Sequence, residues 1–332
     1  MQRSPSLSAT AGDMGAVAFC NALFRRNEMV LLLCLAMVIV FFSLASGSFF
    51  TIRNFANVFG QASLAMIAGI GVGVIVLAGE IDISIGSLAG AAGIPLVVIM
   101  NNGGSLELGI AGALALALTV GLVNGYLAAY LGINSLIVTL GSMFVIRGLI
   151  YLYTGQKAIP DEQSLESFYQ IGNGRLLGTV PYSALTAFAL LMGFMYLMRH
   201  RPFGRNIYAV GGNPEVARLA GFNVKGIKFI CFVISAVLAG ISGILLSSRL
   251  GSAVHVAGLG FEFQVVAAVV LGGVSLAGGV GSLFGVALGV LILSFLSNGF
   301  GMLDVPTEWQ EVATGIIIIT AVAFDEYKRQ RK

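Results

Sequence analysis

The chain has very little charge. Lysine, arginine, aspartate and glutamate make up only 10% of its 332 residues, whereas soluble globular proteins carry about 25%. So few charged side chains cannot cover a folded chain in water, and the mean hydropathy of +0.94 points the same way. The composition excludes a soluble globule and predicts an integral membrane protein embedded in a lipid bilayer.

Residues that carry catalysis or bind metals are also scarce. The three cysteines, Cys20, Cys34 and Cys231, lie in or beside apolar runs without metal-ligand spacing, which predicts reduced packing residues. His200 and His255 are far from any thiol in sequence, so no Cys/His nucleophile is indicated. No GxxxxGK[ST] string is present, so the chain does not bind ATP by that device. The sequence predicts no enzyme, no cofactor and no metal site.

What the chain does have is long apolar runs, and a bilayer core needs about 20 such residues per helix. The run near 262–274 is short and bounded by glycine pairs, so we expect a broken or re-entrant segment there. Upstream, residues 14–24 form either an interfacial amphipathic helix or a disordered lead. Ten runs qualify as spans: 29–50, 62–79, 86–101, 107–131, 135–153, 180–198, 228–248, 262–274, 281–299 and 308–324.

Basic residues set the orientation. The segment 199–228, called here the basic island, holds six of the 18 lysines and arginines and one acid, Glu215. Six spans precede the island and four follow it; both numbers are even, so it lies on the same side as the basic residues at both termini. The positive-inside rule then places the island and both termini in the cytoplasm.

This topology divides the chain into a cytoplasmic lead (1–28), one transmembrane domain (29–324) and a basic tail (325–332). On the opposite side from the island, residues 154–180 form the longest polar stretch. That stretch is either a plain solvated connection or a surface on which a partner docks.

The string GEIDISIGSLAG, residues 79–90, places Glu80 and Asp82 beside long apolar runs. Its alternation of isoleucines with polar residues predicts an extended or loop-like segment, with Ser84 or Ser87 capping the next helix. The acids lie either at an interface or along a polar cavity, because an acid inside the bilayer is costly. A related string at 272–285 aligns Ser87 with Ser282 and hints at internal duplication.

Glycines at four-residue spacing predict close helix packing. Gly281, Gly285 and Gly289 would share one helix face, as would Gly69 with Gly73 and Gly121 with Gly125. Arg147 lies within a span, so it either snorkels to the headgroups or faces a cavity or an acid. The spans show no Asp/Glu/His relay and no regular arginine repeat, which argues against an ion-coupled carrier and a voltage sensor.

Three strings together resemble the permease subunits of bacterial ABC importers for ribose, arabinose and xylose: GEIDISIGS (79–87), FGRNIYAVGGNPEVARLAGFNV (203–224) and VVLGGVSLAGGVGSLFG (269–285). This chain has Glu80 where the family commonly has glycine. The resemblance implies an all-α fold of about ten transmembrane helices, like that of vitamin B12-type permeases. It also implies a homo- or heteromeric permease dimer, two cytoplasmic ABC ATPase domains and a periplasmic sugar-binding protein. Nucleic acid is not an expected partner.

On this resemblance the island contains the coupling helix that docks on the ATPase. Asn213 and Pro214 supply an N-cap and a first-turn proline, Glu215 favours the positive helix end, and Gly221 ends the helix. Gly211 and Gly212 would allow a sharp turn before it, so replacing Gly212 should uncouple ATP hydrolysis from uptake. The expected coupling residues are Gly204, Arg205, Asn206, Gly211, Gly212, Asn213, Pro214, Glu215, Ala217, Leu219 and Gly221.

The expected translocation path needs only weak polar groups, because the binding protein would select the sugar. Its candidate residues are Asp82, Ser84, Ser87, Asn124, Asn134, Gln264, Ser275 and Asn298. Other cargoes of the same superfamily remain open: a nucleoside, a furanone signal or a branched-chain amino acid. A stand-alone secondary transporter is the alternative from a different class.

Overall fold

A computed structural model describes residues 27–330, which form thirteen α-helices and two short strand pairs. The helices are α1 (Asn27–Ala45), α2 (Ile52–Leu77), α3 (Ile85–Asn101), α4 (Leu106–Gly125), α5 (Ser135–Thr154), α6 (Glu166–Asn173), α7 (Tyr182–His200), α8 (Pro202–Gly212), α9 (Pro214–Leu219), α10 (Val224–Leu250), α11 (Phe261–Leu271), α12 (Leu283–Met302) and α13 (Thr307–Gln330). A π-helical turn, Tyr126–Tyr130, continues α4. The strands are β1 (Ile159–Pro160), β2 (Arg175–Leu176), β3 (Val180–Pro181) and β4 (Ser252–Ala253), with β1 pairing β4 and β2 pairing β3.

Seven of the described helices are long and apolar enough to cross a bilayer. The chain is therefore a multi-pass helical membrane protein. Helix α2 lies at its centre and is almost wholly buried, while α1 lies at the periphery with many exposed apolar side chains. The central helix α10 packs against α2, α3 and α4. The described residues do not include segment 14–24, expected as an interfacial helix or a disordered lead, nor Cys20, Arg3, Arg25, Arg26, Arg331 and Lys332.

Each of the ten predicted runs coincides with a helix, and the largest boundary error is at α2. Its start was predicted at residue 62, but it begins at Ile52. Thr51 caps it by accepting from the backbone N–H of Asn54 at 3.2 Å. The polar residues of this first part hid the helix, yet Asn54 is buried, donating to the Phe49 carbonyl (2.9 Å) and pairing with the Asn298 amide (2.9 and 3.1 Å). Asn298 of α12 thus satisfies the hydrogen-bonding groups of Asn54, a residue whose polarity alone indicates a loop.

Helix α11 is half the length of a span. Its 11 residues extend about 16 Å at 1.5 Å per residue, against a hydrocarbon core of about 30 Å. The preceding segment, 251–260, folds back into the protein, where a Cβ at Gly258 would overlap the carbonyl oxygen of Gly86. The sequence predicted a broken or re-entrant segment here, and the short helix preceded by the folded-back segment 251–260 is consistent with a broken one.

Glycine pairs bring the long helices together. A Cβ at Gly73 would lie 3.0 Å from Leu283 of α12, and one at Gly121 would lie 2.8 Å from Ala236 of α10. Gly285 and Gly289 of α12 face α11, where a Cβ would overlap the carbonyl oxygens of Gly272 and Ala268.

Gly281 does not share that helix face. It precedes α12, which begins at Leu283, and it has a φ of +134° against Val274. The expected three-glycine stripe is therefore two glycines long.

The polar stretch 154–180 is held against the bundle. The hydroxyl of Ser248 in α10 accepts from the Gly172 N–H at 2.7 Å and donates to the Phe168 carbonyl at 2.5 Å. Phe168 is fully buried, whereas Leu177 at the β2–β3 turn is 94% exposed. The stretch is therefore an ordered cap with an exposed apolar tip, not a plain solvated connection.

Candidate functional site: the coupling helix and the polar network behind it

The basic island folds as two short helices, α8 and α9, separated by Asn213. Asn213 ends α8 and caps α9 in an extended conformation, with its side-chain oxygen accepting from the N–H groups of Glu215 and Val216, both at 3.0 Å. Pro214 occupies the first turn, where the missing N–H costs nothing. The predicted start of the short helix is confirmed to the residue.

Gly221 ends the α9 turn with a φ of +87°. The Gly221 N–H donates to the Arg218 backbone carbonyl, and the Phe222 N–H donates to the Ala217 backbone carbonyl, both at 3.0 Å. This is the hydrogen-bond pattern of a glycine-terminated helix, and it needs the left-handed conformation that glycine adopts without strain. The predicted stop is likewise confirmed.

The α9 helix turns an apolar surface outward. Val216 and Leu219 are 60% and 81% exposed, while Ala217 is buried at 3%. Pro214 and Glu215 are also exposed. Of the expected coupling residues on this helix, Ala217 thus anchors it to the bundle, and Leu219 is available to a partner.

Gly211 and Gly212 lie inside α8 and do not form the predicted turn, which is made by Asn213. Gly211 instead permits a close backbone contact: a Cβ there would overlap the Leu77 carbonyl oxygen and lie 2.6 Å from the Gly279 nitrogen. A Cβ at Gly212 would meet nothing within 4 Å. The sensitive position is therefore Gly211.

These contacts join three segments of the chain, and we call the place where they meet the glycine junction. It comprises the end of α2 (Leu77–Gly79), the end of α8 (Gly211–Gly212) and the loop residues Gly278–Gly279. The Gly279 N–H donates to the Leu77 carbonyl at 2.9 Å, and a Cβ at Gly278 would lie 2.8 Å from the Cα of Gly79. Gly211–Gly212 and Gly278–Gly279 lie within two of the strings that carried the family resemblance, and the third string begins at Gly79.

Other island residues fix α8 to the bundle. A Cβ at Gly204 would overlap the Met198 carbonyl oxygen, so α7 and α8 meet at a tight corner. Tyr208 donates to the Gly281 carbonyl at 3.0 Å. Burial, reinforced by the charge of Glu28, raises the pKa of Tyr208, so its hydroxyl stays a donor. Arg205 is exposed and Asn206 is half-buried.

Behind the junction lies a buried polar network centred on Asp82, in the non-helical segment between α2 and α3. Asp82 is 1% exposed, and its carboxylate accepts from the Ser84 hydroxyl (2.6 Å) and N–H (3.0 Å) and from the Ser235 hydroxyl (2.9 Å). Asn124 donates to Ser84 at 3.1 Å and accepts from Ser142. The network ties α3, α4, α5 and α10 to one carboxylate.

Ser84 occupies the N-cap position of α3, but its side chain makes no capping bond: its backbone is helical there (φ −73°, ψ −13°), and its hydroxyl donates to Asp82 and accepts from Asn124. Ser87 is buried within the first turn of α3, so it is not the counterpart of Ser282, whose hydroxyl accepts from Gly285 at 3.0 Å as the N-cap of α12. Ser84 thus holds the predicted N-cap position without the capping bond, and Ser87 and Ser282 occupy different positions at the starts of their helices.

Glu80 is separate from this network. It forms a 2.5 Å ion pair with Lys228 in the first turns of α10, with side-chain exposures of 15% and 20%. Among the described residues this is the one salt bridge within 4.0 Å. The acid that departs from the common family pattern thus links the 79–87 string to the end of the basic island.

The remaining expected path residues are not gathered in one place. Asn134 caps α5 by accepting from Leu136 at 3.0 Å, and Asn298 pairs with Asn54. Ser275 accepts from the Ala277 N–H in the loop near the junction, and Gln264 lies on the exposed side of α11. Only Asp82, Ser84 and Asn124 are bonded together.

Two further charged residues are buried, of which sequence reasoning singled out Arg147 but missed Glu262. Arg147 is 8% exposed and donates to the His255 and Ala257 carbonyls at 3.1 and 2.9 Å, so it does not snorkel. Glu262, in the first turn of α11, is 5% exposed, and its Oε2 has no hydrogen-bond partner among the described residues. An acid between two phenylalanines at the start of an apolar run was the available signal.

Comparisons with known proteins agree with these features. Residues 54–322 match the family described as branched-chain amino acid transport system / permease component. The ribose import permease protein of Escherichia coli K12 is 36% identical over 91% of this chain and 94% of its own length. The L-arabinose permease protein of Azospirillum brasilense is 35% identical over 99% and 96%, and the xylose permease protein of Haemophilus influenzae is 33% identical over 91% and 96%.

The family match covers most of the chain, and three relatives align over nearly their whole length. The strings around the glycine junction lie inside the matched region. The chain therefore belongs to the family of ABC transport-system permease components, in the group that contains the ribose, arabinose and xylose permeases.

Proposed function

We propose that this chain is the membrane subunit of an ABC importer that passes a monosaccharide from a periplasmic binding protein to the cytoplasm by ATP-driven alternating access. The observation that carries the proposal is α9, a capped helix that exposes Val216 and Leu219 at one end of a membrane bundle. Exposed apolar side chains on a short ordered helix suit a groove on a partner protein. In this family setting the partner is an ABC ATPase.

The glycine junction supports the proposal because it gives α9 a mechanical connection. Backbone contacts without intervening side chains transmit displacement with little slack, since packed interiors are hardly compressible. Motion of α9 would pass through Gly211 to the end of α2 and to the loop before α12. When ATP draws the two ATPases together, their motion would thus reach the central helix α2 and helix α12.

The cargo is proposed from the relatives' names, which specify ribose, L-arabinose and xylose. Selectivity would lie mainly in the binding protein. The exposed tip of the 154–180 cap, around Leu177, is the surface we propose for that protein. This assignment places the basic island and both termini in the cytoplasm, the cap in the periplasm, about ten transmembrane helices between them, and two permease subunits in the complex.

The docking assignment is tested by Leu219→Asp. A leucine side chain that is buried on docking contributes about 1.5–3 kcal/mol, so a charge there should weaken ATPase association by about tenfold or more. Leu177→Asp makes the same change on an equally exposed leucine at the opposite end of the bundle. Co-purification of the ATPase with each variant, after equal membrane insertion, is the measurement. Equal retention by both variants would refute docking through α9.

The buried acids Asp82 and Glu262 favour one alternative, a carrier coupled to protons or ions. The sequence left Asp82 either at an interface or along a polar cavity and did not single out Glu262, and both side chains are buried. Asp82 has hydrogen-bond donors at both oxygens, which suits a structural role. Transport by the chain alone under an ion gradient would support the carrier.

A further inference from the structure

A cavity of about 690 Å³ lies between α2, α10, α11, α12 and α13. It reaches Leu64, halfway along α2, and extends to Gly315 in α13. Its volume falls within the range of about 300–1,000 Å³ typical of small-molecule sites. The cavity therefore has room for a monosaccharide and reaches deep into the bundle.

The floor of the cavity is formed by the start of the half-length helix α11. Gly260 is its N-cap, with a φ of +73° and no side chain to satisfy the first N–H groups. Such a helix start presents hydrogen-bond donors to whatever lies in front of it. Discontinuous helices with exposed ends near the middle of the membrane form substrate sites in other transporters.

The lining combines flat aromatic rings with uncharged and acidic hydrogen-bonding groups. Phe261, Phe263 and Phe300 contribute the rings. Gln264 and Glu311 face the cavity, and their side chains make no hydrogen bond among the described residues. A sugar ring has an apolar C–H face and a rim of hydroxyls, and this pairing of surfaces matches it. No lysine or arginine is among the described residues that line the cavity, which disfavours an anionic cargo.

A second amide is already held in position. Gln310 accepts from the Ser297 hydroxyl at 3.3 Å and donates to the Val305 carbonyl at 2.9 Å. The backbone carbonyl of Gln310 accepts from the Thr314 hydroxyl at 2.8 Å. These bonds tie the start of α13, which carries Glu311, to the end of α12 as one wall of the cavity.

We infer that this cavity is a transient binding station for the sugar within the permease, with Gln264 and Glu311 receiving its hydroxyls. The inference rests on the proposed function and adds the site that the cargo occupies between the binding protein and the cytoplasm. Among the described lining residues, three polar side chains (Gln264, Thr307 and Glu311) make no hydrogen bond and are free to bind, so the station holds sugar weakly and releases it. That property suits a transporter, in which tight binding would slow passage.

The test uses the complete importer in proteoliposomes, with D-ribose, L-arabinose and D-xylose as separate probes. Gln264→Leu and Glu311→Gln should each reduce sugar moved per ATP hydrolysed by about tenfold, equivalent to 1.4 kcal/mol, with ATPase activity retained. Gln61→Leu and Glu308→Gln make the same changes on exposed side chains outside the cavity and should have no effect.

The outcomes separate the inference from the proposed function. If the wild-type complex shows no ATP-driven uptake of any of the three sugars, both fail. If it transports one of them and the cavity variants transport it equally well, the station is overturned while the proposed function stands. A loss shared by the control variants, or a parallel loss of ATPase activity, would also overturn it, since either reports a general defect.

Discussion

The glycine junction predicts that two adjacent glycines differ sharply in their tolerance of alanine. At Gly211 an added Cβ overlaps the Leu77 carbonyl oxygen and lies 2.6 Å from the Gly279 nitrogen. Both neighbours are backbone atoms, so neither can rotate away and the helices must separate. At Gly212 the same atom meets nothing within 4 Å.

Overpacking of this kind costs about 1–3 kcal/mol, which corresponds to a change of about 5- to 150-fold in an equilibrium constant. Gly211→Ala should therefore lower both the thermal unfolding midpoint and the uptake of sugar per ATP. Gly212→Ala should match the wild type or be slightly more stable, because alanine is favoured over glycine in a helix by up to about 1 kcal/mol. Gly212→Ala therefore serves as the control for Gly211→Ala, although the sequence alone predicted that replacing Gly212 would uncouple the importer.

The measurements are thermal unfolding followed by circular dichroism in detergent, and initial uptake rates with ATPase activity in proteoliposomes. Unfolding separates a general loss of stability from a loss of coupling, since a coupling defect persists well below the unfolding midpoint. Equal behaviour of the two alanine variants in both assays would refute the close contact at Gly211 and, with it, the mechanical link from α9 to α2.

Three further predictions follow from single contacts. Asp82→Ala should destabilise the permease by about 1–3 kcal/mol for each buried donor left unpaired, whereas Asp82→Ser should restore part of this by accepting a bond; urea unfolding of the two variants decides. Arg147→Lys should loosen the segment before α11, because the lysine side chain is one bond shorter and holds its ammonium back from the Nη1 position, from which Arg147 donates to both the His255 and Ala257 carbonyls; hydrogen exchange at residues 251–260 is the readout, and unchanged protection contradicts it. Asn213→Ala should cost α9 about 0.5–2 kcal/mol and reduce ATPase retention, with Asn213→Asp as the conservative control; equal loss in both would exclude the cap as the cause.

The helices were largely predictable because their signals are local. Apolar runs near bilayer length located ten helices, and the Asn213–Pro214 start with the Gly221 stop located α9 to the residue. Cap and stop chemistry depends on neighbouring residues in sequence. The island could therefore be recognised as an ordered helix, and only its partner needed other evidence.

The contacts between distant segments were not predictable from one sequence. Nothing near Gly211 indicates that Leu77 and Gly279 lie against it, and nothing near Asp82 points to Ser235. The start of α2 was missed for the same reason, since Asn54 is satisfied by Asn298, 244 positions away. A polar residue within a helix is easily mistaken for a loop residue or a translocation-path residue when its hydrogen-bond partner on another helix is not known.

The most direct test of the central claim is whether transport by this chain requires an ABC ATPase. The purified permease is reconstituted with its ATPase and sugar-binding subunits, and uptake of D-ribose, L-arabinose and D-xylose is measured with ATP, without ATP and with the ATPase omitted. We predict uptake of at least one sugar that requires both ATP and the ATPase. Uptake by the permease alone, driven by a proton or sodium gradient and unaffected by ATP, would contradict the account.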